Sequence, residues 1–260
     1  VQIKVADGSL TEAEMNNAVN SAFSEMEEID YLMSNYKEDS EVSRINHLGQ
    51  NEKMNISPQT FDVIKKSMEF GRLTGGAFDI TVEPLLRLWG VYSGGVSQIP
   101  TRTEMKTSLE LVGYDKILLD NEGKTIGFSK AGTRIDLGGI AKGYAVDKAI
   151  EALKNYNVRS ALVEAGGDIF AMGKGISSSG TVPLESGWQI GVQHPRIEDG
   201  LLTTLELEDK AVATSGDYER YFFIENKRYS HIIDPKTGWP KSDVPASVTI
   251  IAQDATTADA

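Results

Sequence analysis

Residues 133–153 constrain the fold of this chain more than any other stretch, because they combine a short apolar run, two glycines and an amphipathic segment. The apolar run ends at Asp136 and Leu137, and Gly138 and Gly139 follow it directly. Beyond the glycines, apolar residues recur with the spacing of one helix face, at Val146, Ala149, Ile150 and Leu153. The pattern therefore predicts a strand, then a glycine turn, then a helix that starts just after the glycines.

The predicted glycine turn has two interpretations. In one, the glycines let the backbone approach a ligand, and the helix that follows offers free N–H groups and a positive dipole end to a phosphate. Asp136 would then repel the phosphate unless its carboxylate hydrogen-bonds a base or hydroxyl, or shares a cation, which favours a nucleotide bound with a metal ion. In the other, Gly138-Gly139 is only a tight connection, since the stretch matches neither GxGxxG nor the GxxxxGK[ST] phosphate loop.

Composition limits the classes of function. The chain has 260 residues and a formal net charge of −12, which argues against binding to nucleic acid or anionic membranes by general electrostatics. An anionic ligand would need a locally compensated site, which a divalent cation would provide. The chain has no cysteine, which excludes disulfides, thiolate metal sites and cysteine nucleophiles within it. No run approaches the roughly 18 apolar residues of a membrane span.

Apolar periodicity places helices mainly in the first half of the chain and strands in the second. A capping-box pattern at residues 11–14 starts a long helix towards Met33, Ser57-Pro58 starts another towards Leu73, and residues 104–112 suggest a short third. An irregular polar segment, residues 37–46, follows the first helix. The predicted strands are 2–5, 160–165, 169–172, 188–192, 201–207, 211–214, 220–224 and 247–252, with a hairpin of 114–119 and 125–128 and a surface loop at 177–180. We therefore predict an α+β fold with a mainly antiparallel sheet and packed helices, rather than a parallel, doubly wound fold.

Three single residues are candidates for chemistry, and each has a structural alternative. Tyr36 could stack on a planar heterocycle, or it could only cover a helix end. His231 could act as a general acid or base or contact a phosphate, because histidine titrates near neutrality, or it could be a structural histidine bonded to backbone. Asp259 could ligate a hard cation such as Mg²⁺ through oxygen, or it could cap a helix. The glycine-rich segment 74–85 is either an approach to a ligand or a plain loop.

Seven motifs, taken in order, carry a resemblance to a known family. They are MSNYKEDSEVSRIN, GGAFDITVEPLLRLWG, IDLGGIAKGYAVDKA, LVEAGGDIFAMG, AVATSGDYERYF, SHIIDPKTG and the terminal TTADA. Together they resemble the FAD:protein FMN transferases, the ApbE family of bacterial flavin transferases, from about residue 33 to the end. The resemblance implies an ApbE-like, T-fold-related α+β fold that forms one flavin transferase domain over residues 1–260.

The resemblance also implies an activity. Members of the family bind FAD and Mg²⁺, transfer the FMN half to a threonine hydroxyl of an acceptor protein as a phosphoester, and release AMP. They act outside the cytoplasmic membrane and are often lipid-anchored. The chain is therefore expected to be an extracytoplasmic enzyme that flavinylates an exposed Thr or Ser of an acceptor protein, with FAD as its substrate and Mg²⁺ as its cofactor.

The matched motif positions imply roles for individual residues. The implied cofactor-binding residues are Tyr36, Ala77, Phe78, Asp79, Asp136, Lys142 and Ile233. The backbone carbonyl of Gly139 and the carboxylate of Asp259 would bind the metal ion. His231 and Asp259 would be the catalytic residues, with His231 or a metal-bound oxygen group assisting the deprotonation of the acceptor hydroxyl.

The chain departs from the family pattern near both ends. The family's metal-binding threonine normally lies four residues after the position matched by Asp259, whereas the sequence stops at Ala260, and a Met-Gly-Thr element that usually precedes the first strand is absent. We therefore expect both ends to be truncated, with any lipid anchor in a missing N-terminal segment. Two rival functions stay open: an FAD diphosphatase, with water in place of the threonine, and a flavin-binding carrier without chemistry, which would need no Mg²⁺.

Overall fold

The computed structural model describes residues 1–175, 186–197, 199–217, 221–241 and 245–260. In these residues, segments with helical or alternating apolar patterns form seven α-helices and twelve strands. The helices are α1 Glu12–Met33, α2 Glu41–Ile45, α3 Pro58–Leu73, α4 Glu83–Leu88, α5 Arg102–Leu109, α6 Ala141–Asn155 and α7 Ala255–Asp259. The strands are β1 Gln2–Val5, β2 Lys53–Asn55, β3 Ile117–Asp120, β4 Thr125–Phe128, β5 Ala161–Ala165, β6 Asp168–Met172, β7 Trp188–Gln193, β8 Leu201–Leu207, β9 Lys210–Gly216, β10 Tyr221–Ile224, β11 Lys227–Ser230 and β12 Ser247–Ala252.

The chain divides into two compact units, and each is assembled from separate segments. The sheet unit comprises Val1–Asp30, Ile140–Gly216 and Ser247–Asp259. The aromatic unit comprises Tyr31–Gly139, Asp217–Ala246 and Ala260. The single domain expected from the family resemblance stays a prediction.

Antiparallel strands form the centre of the sheet unit. Its main sheet has the strand order β1, β5, β6, β9, β12, and each ladder between neighbours is antiparallel. Strands β7 and β8 pair as a separate antiparallel ribbon, and Trp188 and Ile190 of that ribbon share an apolar cluster with Leu162 and Val212 of the main sheet. The prediction of an α+β fold with a mainly antiparallel sheet is confirmed.

Helix α6 covers strands β5 and β6 of the main sheet and also packs against α7. The four residues of its predicted apolar face are all buried: Val146, Ala149, Ile150 and Leu153. Burial of such a face contributes more to the stability of a helix in a protein than intrinsic helix propensity does. The periodicity therefore predicted both the helix and its orientation correctly.

The aromatic unit is built around Trp89, which is fully buried. The indole N–H donates to the carbonyl of Gly238 at 2.7 Å, and the ring lies 5.6 Å from that of Tyr229 and 5.2 Å from that of Trp239, centroid to centroid. A buried indole N–H needs such an acceptor, since an unpaired one costs free energy. The three-stranded sheet β2, β4, β3 and the hairpin β10, β11 belong to the same unit.

Two local predictions are wrong, and both errors have a side-chain cause. Residues 133–137 belong to no strand, because the amide of Asn46 takes the place of a partner strand. Ile135 donates its N–H to Asn46 Oδ1 at 2.7 Å, and its carbonyl accepts from Asn46 Nδ2 at 2.9 Å. The segment 37–46 is not wholly irregular, because it contains α2. Ser40 caps that helix by accepting the N–H of Ser43, and the helix buries Val42.

Other elements have boundaries that differ from the predicted ones by a few residues, or were not predicted. The third helix lies at Arg102–Leu109 rather than at 104–112, since Thr101 and Glu104 form a capping box. Strands β2 and β11 were not predicted, being only three and four residues long. The predicted loop at 177–180 and the first residue of the strand predicted at 220–224 lie outside the described residues. Of the helices in the described part of the chain, none has both the length and the apolar character needed to cross a membrane.

Candidate functional site

Three of the sheet unit's charged residues meet where α6 begins, and we call them the acid–lysine cluster: Lys142, Asp168 and Asp259. The Lys142 ammonium lies 2.6 Å from Asp168 Oδ2 and 3.3 Å from Asp259 Oδ1. The side chains of Asp168 and Asp259 are only 2% and 6% exposed, whereas that of Lys142 is 44% exposed. Two nearly buried carboxylates are thus held by one lysine whose side chain is partly exposed.

A tight turn places Asp168 in this cluster. Ala165 pairs with Asp168 across a two-residue loop, and both loop residues, Gly166 and Gly167, have positive φ angles of 60° and 93°. Positive φ at both positions is the requirement of the hairpin turn that best matches the twist of paired strands, and glycine meets it without strain. Asp168 is therefore fixed at the first position of β6.

Helices α6 and α7 cap each other, and this places Asp259. Asp259 Oδ2 accepts the N–H of Gly143 in the first turn of α6, at 3.1 Å. In the opposite direction, Asp147 of α6 accepts the N–H groups of Ala255 and Thr256 at the start of α7, at 2.8 and 2.9 Å, and the hydroxyl of Thr256 as well. Each carboxylate satisfies N–H groups that a helix start leaves without intrahelical partners.

Gly143 allows this mutual capping because the two helices approach too closely for a side chain there. A Cβ atom at residue 143 would lie 2.2 Å from the carbonyl oxygen of Ala255 and 2.9 Å from Cβ of Asp259. Real Cβ atoms do not tolerate such distances. The glycine in the middle of the motif IAKGYAV is therefore a packing requirement of the cluster.

Burial and mutual charge shift the pKa values of the cluster. Burial, followed by the negative charge of Asp259, raises the pKa of Asp168 above its ordinary value, although the Lys142 ammonium opposes this. Burial alone would lower the pKa of Lys142, but the charges of Asp259 and Asp168 outweigh it and raise that pKa. Lys142 is therefore charged at neutral pH. Burial also raises the pKa of Asp147, with the hydrogen bond from Thr256 opposing.

The donor set of the cluster fits a hard cation that also binds substrate oxygens. Its metal-binding atoms are carboxylate oxygens, which Mg²⁺ prefers, and Mg²⁺ commonly takes one or two carboxylates together with substrate phosphates. Within the part of the chain that the structure describes, no three His, Cys, Asp or Glu side chains gather as a self-sufficient metal site. A metal ion at Asp259 would therefore need ligands beyond such a cluster, and the phosphates of a nucleotide are the natural candidates.

In the aromatic unit, Asp136 is the centre of a second polar group, which we call the Asp136 network: Asn35, Tyr92, Asp136 and Gly138. Asp136 Oδ2 accepts from Asn35 Nδ2 at 2.8 Å and from the Tyr92 hydroxyl at 2.7 Å, while Oδ1 accepts the Gly138 N–H at 2.7 Å. Burial, then the charge of Asp136, raises the pKa of Tyr92. Tyr92 is therefore a permanent donor, and Asp136 is held in one orientation.

Tyr36 lies beside this network and exposes most of its ring. Its side chain is 63% exposed, and its ring meets that of Tyr92 edge to face with centroids 5.8 Å apart. An exposed aromatic ring that lies against a half-buried one offers a flat surface on which a heterocycle can stack. The ring of Tyr36 is therefore exposed, and its role in stacking on a cofactor stays a prediction.

The other predicted cofactor residues of the aromatic unit differ in exposure. Ala77 is exposed and Phe78 half-buried, its ring edge-on to Phe70 at 6.0 Å. Asp79 is buried, and its carboxylate accepts from the N–H and hydroxyl of Thr81 and from the N–H of Tyr114. Asp79 therefore has a structural role as a cap, and its contact with a cofactor stays a prediction.

The remaining predicted residues lie near the ends of elements. Gly139 is exposed in the turn that precedes α6. His231 is half-buried just after β11. Ile233 is 7% exposed and belongs to the apolar cluster around Trp89. Their roles in binding metal, catalysis and lining the site stay predictions.

The structure adds functional candidates that the sequence analysis missed: Asn35, Tyr92, Gly143, Asp147 and Asp168. The sequence analysis includes Asp168 only within the motif LVEAGGDIFAMG, and Gly143 only within a predicted helix. A glycine inside a strongly periodic helix was the one signal that could have been used, because such a residue often has a packing reason. The others depend on contacts between distant segments.

Comparisons with known proteins point to one family. The sequence profile of the ApbE family matches residues 1–260. The chain is 36% identical over 236 residues to a Vibrio cholerae protein named FAD:protein FMN transferase, covering 90% of this chain and 68% of that one. The crystal structure of the ApbE protein from Thermotoga maritima has a TM-score of 0.85 at 40% identity, covering 98% of this chain and 79% of that one. The apo form of the flavinyl transferase ApbE from Pseudomonas stutzeri has a TM-score of 0.83 at 30% identity, covering 99% and 77%.

Proposed function

Because the chain belongs to the ApbE family and transfers FMN from FAD to a protein, we propose that the transfer depends on Mg²⁺ held at Asp259. We further propose that FMN is delivered to a threonine or serine hydroxyl of the acceptor protein. FAD is then the substrate, and AMP is the second product.

The acid–lysine cluster is the observation that carries the proposal. Pyrophosphate cleavage needs positive charge at the phosphate oxygens, and the ammonium of Lys142, whose side chain is partly exposed, would supply one such charge. The buried Asp259 carboxylate supplies an oxygen ligand for a cation at the same place. Mg²⁺, when bound, would neutralise phosphate oxygens and stabilise the charge that builds on the departing AMP.

The Asp136 network and Tyr36 suit the ring systems of FAD. Asp136 has its orientation fixed by three hydrogen bonds and is only half-buried, so it can accept a further hydrogen bond from a ligand N–H or hydroxyl. The exposed ring of Tyr36 can stack on a flavin or adenine. We assign these residues to orientation of the nucleotide rather than to bond making.

The proposed reaction is a displacement at phosphorus. The acceptor hydroxyl oxygen attacks the phosphorus on the riboflavin side, a new phosphoester bond forms, and the bond from that phosphorus to the AMP phosphate oxygen breaks. The hydroxyl proton passes to a base, and AMP leaves with the electron pair. His231, just after β11, is the proposed base because a histidine can accept a proton near neutral pH.

The test combines FAD, Mg²⁺ and a candidate acceptor protein with an exposed threonine, followed by intact mass of the acceptor and chromatography of the small molecules. We expect the acceptor to gain the mass of FMN less one water, with release of an equal amount of AMP. Both products should disappear with EDTA or when the acceptor threonine is changed to alanine. Asp259→Ala should abolish transfer while retaining flavin binding. Unchanged transfer by that variant would contradict the metal assignment.

The same experiment separates the two rival functions. Free FMN and AMP with no labelled acceptor would indicate an FAD diphosphatase, in which water replaces the hydroxyl. Intact FAD in every reaction would indicate a carrier without chemistry. Location outside the cytoplasmic membrane and attachment through a lipid are further proposals, and the family resemblance alone supports them.

A further inference from the structure

Lys142 does not divide its contacts equally between the two acids of the acid–lysine cluster. Its distance to Asp168, 2.6 Å, is that of a strong charge-assisted hydrogen bond, whereas its distance to Asp259, 3.3 Å, is longer than the usual range for such bonds. The other oxygen of Asp259 is occupied by the N–H of Gly143. The Asp259 oxygen that faces Lys142 is therefore the less firmly bound of its two.

Rigid backbone holds the Asp168 side of this arrangement in place. The side chain of Asp168 is only 2% exposed, and Asp168 is the first residue of β6, which pairs with β5 on one side and β9 on the other. The stem of Lys142 passes over the hairpin turn, where a Cβ at Gly166 would be in ordinary contact with its Cδ at 3.5 Å. The ammonium is thus guided to Asp168 by the turn that presents it.

From this geometry we infer that Asp168 is a positioning residue that holds the Lys142 ammonium off Asp259, so that the Asp259 carboxylate can take up the metal ion. The inference rests on the proposed Mg²⁺ site at Asp259. An ammonium and a metal ion compete for the same carboxylate oxygen, because both are bound there by charge. Without the charge of Asp168, the Lys142 ammonium would move closer to the Asp259 carboxylate and oppose the binding of a metal ion there.

A double-mutant cycle tests the inference with Mn²⁺ as the probe, counted by the electron paramagnetic resonance signal of the free ion in the absence of FAD. Asp168→Asn should weaken Mn²⁺ binding about tenfold, since coupling between contacting charged residues is commonly of that size. Lys142→Met should tighten binding, because the competing ammonium is gone. In the Lys142→Met background, Asp168→Asn should have little further effect. Equal weakening by Asp168→Asn in both backgrounds would overturn the inference, since it would make Asp168 a metal ligand or a purely structural residue.

Two controls keep the outcomes separate. If circular dichroism shows that Asp168→Asn does not fold, the Mn²⁺ affinity of Lys142→Met alone tests the inference. Weaker Mn²⁺ binding in that variant would contradict a competing role for the ammonium.

Asp259→Asn tests the proposed function itself. Retained Mn²⁺ binding in this variant would show that Asp259 is not the metal ligand. If Asp259→Asn loses Mn²⁺ binding but the double-mutant cycle shows no coupling between Asp168 and Lys142, the metal site at Asp259 is supported and only the positioning role of Asp168 is contradicted. Asp39→Asn, at an exposed aspartate, is the matched control, and we expect its affinity for Mn²⁺ to be unchanged.

Discussion

At the scale of single residues, the Asp136 network fixes the orientation of one half-buried carboxylate in the aromatic unit. Its carboxylate accepts from a side-chain amide, a phenol and a backbone N–H. Bonds to a charged acceptor are roughly twice as strong as neutral ones and fix its direction. An ordered carboxylate beside an exposed tyrosine ring is suited to nucleotide recognition without further rearrangement.

Tyr92→Phe tests this network. It removes the donor 2.7 Å from Asp136 Oδ2. We expect a loss of about 1–3 kcal/mol in unfolding free energy, which is typical of a hydrogen bond to a charged group, and weaker FAD binding in a fluorescence titration. Tyr31→Phe, at an exposed tyrosine, is the control. Wild-type FAD affinity in Tyr92→Phe would show that the network does not orient the nucleotide.

Asp7 gives a pH-dependent prediction. Its carboxylate is buried and accepts from Arg159 and Ser9, and the Arg159 hydrogen bonds hold its pKa well below the ordinary value. A depressed folded-state pKa stabilises the fold above the unfolded-state value of about 3.9, and this contribution is lost as the pH falls towards the folded-state value.

We therefore expect Asp7→Asn to lower the unfolding free energy at pH 7 by about 1–2 kcal/mol, a figure reduced for the solvent exposure of Arg159. The difference between wild type and variant should shrink as the pH falls below about 4. Urea unfolding at several pH values measures it. A difference that is constant with pH would mean that the carboxylate charge is not responsible.

Sequence reasoning selected candidate site residues that lie inside distinctive motifs, such as Asp136, Lys142 and Asp259, and their roles stay predictions. It did not identify Asp168 or Tyr92 because their importance depends on distant partners. The contacts of Lys142 with Asp168 and of Tyr92 with Asp136 join residues 26 and 44 positions apart. Local periodicity carries no information about such pairs.

At the scale of elements, α6 and α7 form one interlocked pair. Asp259 caps α6, Asp147 caps α7, and Gly143 lets the two backbones approach. Helix α7 has only five residues, too few to be stable alone. Its position, and with it the direction of the Asp259 side chain, depends on α6.

Gly143→Ala should separate the pair. The added methyl group would meet the Ala255 carbonyl, and since that atom is backbone, α7 must move. We expect a loss of about 1–3 kcal/mol in unfolding free energy, typical of overpacking, together with loss of transferase activity. Gly8→Ala is the matched control, because a Cβ there meets nothing within 4 Å. Full activity in Gly143→Ala would show that α7 tolerates displacement.

Asp147→Asn tests the opposite cap. An amide can accept with one oxygen only, so the N–H of Ala255 or Thr256 loses its partner. We expect faster hydrogen exchange at these two amides and a loss of about 1–3 kcal/mol in unfolding free energy. Glu151→Gln, on the exposed side of the same helix, should leave both quantities unchanged. Unaltered exchange would argue against Asp147 as the cap.

Elements with a strong repeating pattern were predictable, and those held by side chains were not. Strands β1, β8 and β12 have the predicted bounds, because their flanking turn residues and β-branched content are local signals. The segment 133–137 has the composition of a strand, but Asn46 bonds both backbone groups of Ile135 in place of a neighbouring strand. No local pattern distinguishes a strand partner from an asparagine 89 residues away.

At the scale of the whole molecule, the negative charge limits the partners. A net charge of −12 opposes binding to polyanions, whereas the site proposed above for FAD includes the compensating positive charge of Lys142. We expect no change in the fluorescence anisotropy of labelled double-stranded DNA at physiological salt, with a basic DNA-binding domain as the positive control. Salt-sensitive binding would reveal a basic surface that composition does not indicate.

The discontinuity of the sheet unit has a consequence for the order in which a newly synthesised chain acquires activity. Asp259 contacts Lys142 from 117 positions further along the chain, and it follows β12, which pairs with β9 at the end of the main sheet order. Contacts between such distant segments form late and slow folding. Because the chain is synthesised from its N-terminus, the early strands can fold first. Asp259, the proposed metal ligand, is synthesised only after β12. A nascent or incompletely translated chain therefore lacks the acid–lysine cluster and should have no flavin-transferring activity.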